Sequence, residues 1–286
     1  FTSRVCTARP RRLHVPQALR RGDVVDLECT GVALPGGDGV CRPVAVPSKD
    51  AAAAAAAASE DASSGMVCFT RSALPGERLR AEVTSVHKRF AVASKLETLS
   101  ASPDFVAAQC PVFGRCGGCS LQHLAYDAQL REKEAQVLEA FARIANLEEG
   151  SAEMRPIVAS DVAHFRNKMT FTFSRGVDGS AILGLVAAGS AAAAEVVPTP
   201  HEEGCLLQTH EANAVLRIAQ AWLAEANPEP FLPLLGDGLF RQLIVRTAAT
   251  APDDHSAGGS AGGRSTTVDI VTTAPAPAEL IGPLAE

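Results

Sequence analysis

Aromatic side chains are scarce in this 286-residue chain: it has one tryptophan, one tyrosine and eleven phenylalanines, so its packing falls mainly to alanine, valine and leucine. No run of 18 apolar residues occurs, which excludes a helical membrane span of ordinary length. No secretory signal pattern is read in the given residues, and a chain of this size is not expected to need disulfide staples. Basic residues are outnumbered, 26 Lys and Arg against 32 Asp and Glu for a net charge of -6, which argues against a protein that coats RNA non-specifically. Acid is absent from Phe1 to Gly22, where six arginines lie. Such a start suits an RNA-contacting arm, the tail of an organellar transit peptide or a disordered leader. With 47% hydrophobic residues the chain can bury a sizeable core, and its length suggests about two domains.

Eight cysteines are present, and four of them form a pattern. Cys110, Cys116 and Cys119 occupy one short loop, Cys-Pro-Val-Phe-Gly-Arg-Cys-Gly-Gly-Cys, and Cys205 follows 86 positions later in His-Glu-Glu-Gly-Cys-Leu-Leu. Two cysteines separated by two residues can place both sulfurs on one metal or cluster, and the glycines between them allow the tight turn this needs. A structural zinc site more often shows two paired arms, whereas here there is one pair and two single thiols. Three clustered cysteines plus one remote cysteine suit a four-iron four-sulfur cluster better, with zinc and then disulfides or free thiols as the alternatives. Cys29, Cys41 and Cys68 fall in strand-like runs and read as small buried hydrophobes. Cys6 stands apart. His123, His201 and His210 lie near the cluster cysteines in sequence and read as surface or outer-shell histidines rather than ligands.

Residues 20 to 99 hold five short extended runs, Val24 to Cys29, Val40 to Val46, Met66 to Thr70, Arg78 to Val86 and Phe90 to Ser94, which predict a small barrel. An insertion at 48 to 65, with eight alanines in a row, lacks an amphipathic stripe and is expected to be disordered, as is the Gly/Ser-rich stretch 253 to 265. Between 124 and 150, apolar residues recur at 130, 137, 138, 141, 144 and 145, a helical spacing. Residues 151 to 286 alternate strand-like runs (Met169 to Phe173, Ile182 to Leu185, Leu243 to Thr247, Thr267 to Val271) with a helix near Glu211 to Ala226. The expected fold class is α+β: an OB-like β-barrel, a cysteine loop at 100 to 123, and a second domain with a largely antiparallel sheet.

Cations for phosphate and flat groups for unstacked bases are what RNA binding requires. His87-Lys88-Arg89-Phe90, at a tight turn between two strands, supplies both in Lys88, Arg89 and Phe90, although a solvated basic turn is an equally ordinary reading. Phe165-Arg166-Asn167-Lys168 combines the same types just before a strand. Arg241 and Arg246 alternate with apolar residues and either line such a surface or face water.

The cysteine loop runs on into Ser120-Leu121-Gln122-His123-Leu124-Ala125-Tyr126-Asp127-Ala128-Gln129-Leu130-Arg131-Glu132-Lys133. This string resembles the iron-sulfur-containing RNA uracil-5 methyltransferases. Arg21 to Leu27 and Ala73 to Val83 are similar to that family's amino-terminal TRAM domain, an OB-like RNA-binding barrel; Phe165 to Met169 and Gly238 to Arg246 are similar to its central domain. The likeness covers roughly residues 20 to 272. It implies a four-iron four-sulfur cluster on Cys110, Cys116, Cys119 and Cys205, with Arg166 and Lys168 at the RNA. It further implies structured ribosomal or transfer RNA as partner, a monomer, and S-adenosylmethionine as methyl donor in a complete protein. In that family a cysteine nucleophile adds to C6 of uracil and the methyl group moves to C5, both in a domain that follows the central one. No cysteine occurs after Cys205 and no strand-then-glycine-loop pattern after residue 246, so this chain alone, beginning at Phe1 and stopping at Glu286, is expected not to methylate. A stand-alone RNA-binding module with a structural or sensing metal centre is the alternative. The compartment is left open between an organelle, chloroplast or mitochondrion, and the cytoplasm.

Overall fold

A computed structural model describes residues 19–44, 66–147, 150–151, 153–190, 195–200, 204–230, 232, 237–249 and 264–284. The Arg-rich leader up to residue 18, Cys6, Ala45 and Val46, the alanine insertion, His201 and residues 253 to 263 lie outside the described residues. The chain divides into two compact units, Phe1–Pro103 and Asp104–Glu286.

In the first unit, β1 (Val24–Ala33), β2 (Asp38–Pro43), β3 (Val67–Thr70), β4 (Arg78–Val86) and β5 (Phe90–Ser100) form a closed barrel in the order β1-β2-β3-β5-β4. All its pairings are antiparallel except β3 with β5. β4 matches the expected run Arg78 to Val86 and alternates: Leu79, Ala81 and Val83 are buried while Arg78 and Glu82 on the other face are exposed. Small residues fill the narrow interior. Cys29 lies opposite Cys41, and Cys41 opposite Cys68, so three buried thiols form a row across adjacent strands. This is the small-hydrophobe role their positions suggested. β5 extends six residues beyond the expected end at Ser94. Its outer half, Lys95 to Ser100, pairs with β4 but buries little, so it carries no hydrophobic alternation to read.

The second unit contains α1 (Tyr126–Arg143), β6 (Lys168–Arg175), β7 (Ala181–Val186), β8 (Val196–Pro198), α2 (His210–Ala226), β9 (Phe240–Ala249), β10 (Arg264–Thr272) and a short α3 (Ala278–Ile281). Its sheet runs β10-β9-β6-β7-β8 and is antiparallel throughout. Thr209 caps α2, its hydroxyl accepting from Ala212 N–H, and Asn227 ends the helix in the left-handed conformation. α2 lays Leu216, Ala219, Trp222 and Leu223 against Phe171, Phe173, Phe240 and Leu243 of the sheet. The rings of Trp222 and Phe240 meet edge to face at 5.4 Å, and Trp222 Nε1 donates to Leu280 O, tying α3 to the same core.

β8, three residues ending in proline, had no signal in the sequence. α1 is shorter than the expected 124 to 150, and its apolar stripe is not packed within the unit: Ala128 is buried, but Val137, Leu138 and Phe141 are 46%, 47% and 42% exposed. Among the described residues, no helix is long and apolar enough to cross a membrane.

Candidate metal centre and nucleic-acid interface

The cysteine loop is threaded onto the end of the second unit's sheet. Phe113 N–H bonds to Cys110 O and Cys116 N–H to Val112 O, folding the five intervening residues into successive turns, with Gly114 at positive φ. Gly117 N–H then donates to Val186 O at 2.9 Å, and Ala188 N–H to Arg115 O at 2.8 Å. A Cβ on Gly117 would sit 2.6 Å from Val186 O, and one on Gly118 would meet Leu185 Cδ1 at 2.8 Å and Cys116 Sγ at 3.4 Å. Gly117 is therefore required by its close approach to backbone, whereas at Gly118 the nearest atom is the end of a movable leucine side chain.

Cys205 comes from the segment leading into α2. Gly204 precedes it at positive φ, and Asn213, buried in the first turns of α2, grips it through the backbone: Cys205 N–H donates to Asn213 Oδ1, and Asn213 Nδ2 donates to Cys205 O.

Cys110, Cys116, Cys119 and Cys205 together line one cavity of about 410 Å³, its open mouth included. Its remaining walls are largely apolar, with Val112, Phe113, Leu185 and Leu207 among them. Burial pushes the Cys119 thiol up to about 11, and the neighbouring thiols add to the rise. Burial likewise raises Cys116 and Cys205, opposed in both by nearby Arg166. Donors nonetheless point at the sulfurs: Gly118 N–H at Cys116, Gln122 Nε2 at Cys119 at 3.1 Å, and the N–H groups of Leu207 and Gln208 at Cys205. Thiols that resist ionisation on their own, yet are met by N–H groups, suit ligands whose protons a bound cation displaces. Among the described residues, no three His, Cys, Asp or Glu side chains converge on a single metal ion.

The histidines take outer positions. His123 is buried with its ring 5.0 Å from Phe113; His210 is exposed, its ring tilted against that of His164 at 4.0 Å.

The strip His164 to Arg166 is hydrogen-bonded to the Cys205 segment. His164 N–H donates to Leu206 O and Arg166 N–H to Leu207 O, both at 2.8 Å, and His164 Nδ1 bonds to Gln208 O at 2.8 Å. Arg166 and Gln208 pair as a parallel bridge. Phe165 and Arg166 are exposed there, and Lys168, at the start of β6, lies directly across from Arg246 on β9. Arg264 Nη1 reaches Asn167 Oδ1, so Arg166, Lys168, Arg246 and Arg264 share one end of the sheet. Arg246 is ion-paired with Asp269. Arg241 lies at the other end of β9 and is not brought to this group.

In the barrel, Lys88 and Arg89 are exposed at the β4–β5 turn, as the sequence indicated. Phe90 is half-buried, its ring stacked on His87 at 4.4 Å and edge-on to Phe69 at 5.4 Å. The exposed ring of this turn is therefore that of His87, which belongs to the same four-residue turn but was not among the contacts expected from it.

No family model matches the chain. Similar curated proteins are named RNA methyltransferases. One from Chlorobaculum tepidum is 34% identical over 182 residues, covering 60% of this chain and 37% of that protein. One from Bacillus cereus is 35% identical over 185 residues, 64% of this chain and 38% of that protein. One from Halalkalibacterium halodurans is 45% identical over 105 residues, 36% of this chain and 22% of that protein. The chain thus spans well under half the length of the relatives it matches. Among solved structures, the tRNA (uracil-54, C5)-methyltransferase of Pyrococcus abyssi, in complex with S-adenosyl-L-homocysteine, aligns over 77% of this chain and 46% of its own. The TM-score is 0.49 and the identity 19%.

Proposed function

We propose that this chain is the RNA-gripping and cluster-holding portion of an S-adenosylmethionine-dependent RNA uracil-5 methyltransferase, with Cys110, Cys116, Cys119 and Cys205 as ligands of a four-iron four-sulfur cluster. The observation that carries this is the meeting of four thiols, drawn from a short loop and from a residue 86 positions beyond it, around one largely apolar cavity. One close pair and two single thiols around one apolar cavity suit a cluster better than the two paired arms usual for a structural zinc. The N–H donors on three of the sulfurs are of the kind that tune such clusters. The names of the relatives supply the reaction class.

When bound, the cluster supplies a covalent tie between the cysteine loop and the strip that enters α2. The chain's own residues do the rest. Arg166 and Lys168 meet phosphate on structured ribosomal or transfer RNA, with Arg241 further along the same strand system, while Lys88 and Arg89 do so from the TRAM-like barrel, where the half-buried Phe90 supports their turn through its stack on His87. Base methylation in folded RNA needs the target nucleotide drawn out of its stack, and the grip on flanking nucleotides contributes to that cost. The protein works as a monomer, and the methyl donor belongs to the complete enzyme.

Anaerobic purification followed by iron, sulfide and zinc analysis tests the centre. The expected result is a broad band near 400 nm with about four irons and four sulfides per chain, lost in Cys205→Ser. Stoichiometric zinc, or a Cys205→Ser variant that keeps the full spectrum, overturns it.

A further inference from the structure

Gln122 bridges two of the four cysteines. Its Nε2 donates to Cys119 Sγ at 3.1 Å, and its Oε1 accepts from Cys110 N–H at 3.2 Å. Both ends of the amide are thus engaged at the cavity, and the side chain is half-buried. The flanking residues hold it there: Leu121 and Leu124 are buried, and Gln129 Nε2 on α1 donates to the carbonyls of both, pinning the backbone on either side of Gln122.

The donors to the other sulfurs are of a different kind. Cys116 is met by the backbone N–H of Gly118, and Cys205 by those of Leu207 and Gln208, so they survive side-chain substitution. The donor to Cys119 is a side chain, and its removal leaves the loop's backbone bonds in place. An amide in this position does two separable things. As an acceptor it closes the loop from Cys110 back to residue 122. As a donor it takes electron density from a thiolate sulfur.

Taking the cavity as a cluster site, as above, we propose that Gln122 is a positioning and tuning residue of that centre: its N–H donation to Cys119 holds the thiolate on the cluster and raises the reduction potential, while its acceptance from Cys110 N–H closes the loop. The charge argument sets the direction. The reduced cluster carries one more negative charge than the oxidised one, so a donor to a ligating sulfur stabilises the reduced form more, and losing it drives the potential negative.

Two substitutions separate the functions. Gln122→Leu removes both hydrogen bonds. Gln122→Glu is nearly isosteric, keeps an acceptor for Cys110 N–H and places a carboxylate oxygen against Cys119 in place of the donor. On the full chain, purified anaerobically, two quantities are measured: the midpoint potential, by dithionite titration followed in the visible and by electron paramagnetic resonance, and the rate at which the 400 nm band is lost in air. Both variants are expected to show a more negative potential than wild type, Gln122→Glu the more so, and to lose the band on the order of tenfold faster. If Gln122→Leu fails to fold, the isosteric Gln122→Glu decides the matter alone. A Gln122→Glu protein with wild-type potential and decay overturns the tuning role, and would leave loop closure as the only use of the side chain. Wild type without iron and sulfide is a different failure: it removes the cluster reading itself.

Discussion

Asn213 holds Cys205 by both of its backbone polar groups, accepting from its N–H at 2.8 Å and donating to its carbonyl at 3.1 Å, while also accepting from Gln208 Nε2 at 2.8 Å. One buried amide on α2 thus sets the position of the remote thiol. Asn213→Ala leaves these groups without partners at a cost of about 2–4 kcal/mol. Asn213→Asp retains an acceptor for Cys205 N–H but turns a second oxygen toward Cys205 O. Both variants are expected to melt below wild type and to hold less iron after anaerobic reconstitution. Calorimetry and iron analysis of the two proteins check this, and full iron content in Asn213→Asp would refute it.

Gly117 is the tightest point of the loop. A methyl group there would lie 2.6 Å from Val186 O, and the clash is with backbone rather than a movable side chain. Gly117→Ala is expected to cost about 1–3 kcal/mol and to displace the loop from the end of β7. Hydrogen exchange at Gly117 and Ala188, whose N–H groups make the bonds to Val186 and Arg115, should rise selectively in the variant.

Arg166 and Lys168 are expected to contact phosphate. Arg166→Ala and Lys168→Ala should each weaken binding to a transcribed tRNA uniformly across sequences and lower the slope of log affinity against log salt by about 1. Arg241→Ala, at the far end of β9, is the informative comparison. A slope unchanged in the first two variants and reduced only in the third would move the RNA track to the opposite end of the sheet.

Cys68 gives a pH dependence to the barrel. Burial pushes its thiol from the ordinary value of 9.0 up to about 11. The folded state therefore keeps a proton that the unfolded chain releases, and the stability this represents is complete below pH 9 and lost as pH rises through about 11. The loss attributable to this group is roughly 2–3 kcal/mol. Denaturant unfolding of wild type and Cys68→Ala at pH 8 and pH 11 isolates it. Cys68→Ala should be less stable at pH 8 because of the cavity it leaves, but should fall less steeply with pH.

Much of this arrangement could be read before any coordinates. β4 alternates Leu79, Ala81 and Val83 with charged residues, so its face and its limits were visible in the sequence. The loop of Cys110, Cys116 and Cys119 was likewise visible, because local turns and a conspicuous residue type are sequence-local properties. What stayed hidden depends on tertiary pairing. Nothing near Lys168 says that Arg246, rather than Arg241, will lie across from it, since register between strands more than seventy residues apart is set by the core they jointly cover. Asn213 was invisible for a similar reason: an asparagine in a helix reads as a weak helix former until Cys205 is folded against it. The stripe on α1 was read correctly as apolar, but periodicity reports only that a face can be buried, and Val137 and Phe141 are not buried here.

The strip His164 to Arg166 is joined to Leu206 and Leu207 through two bonds between main-chain atoms. Main-chain bonds do not depend on which side chains the residues carry. Over evolutionary drift, point substitution can therefore change the side chains that this strip carries, or the thiol neighbourhood beside it, without parting the two. Only an insertion, a deletion or a proline at one of the donating positions breaks the connection. Variants with altered side chains on either strip should accordingly arise far more readily than variants in which the two strips move apart.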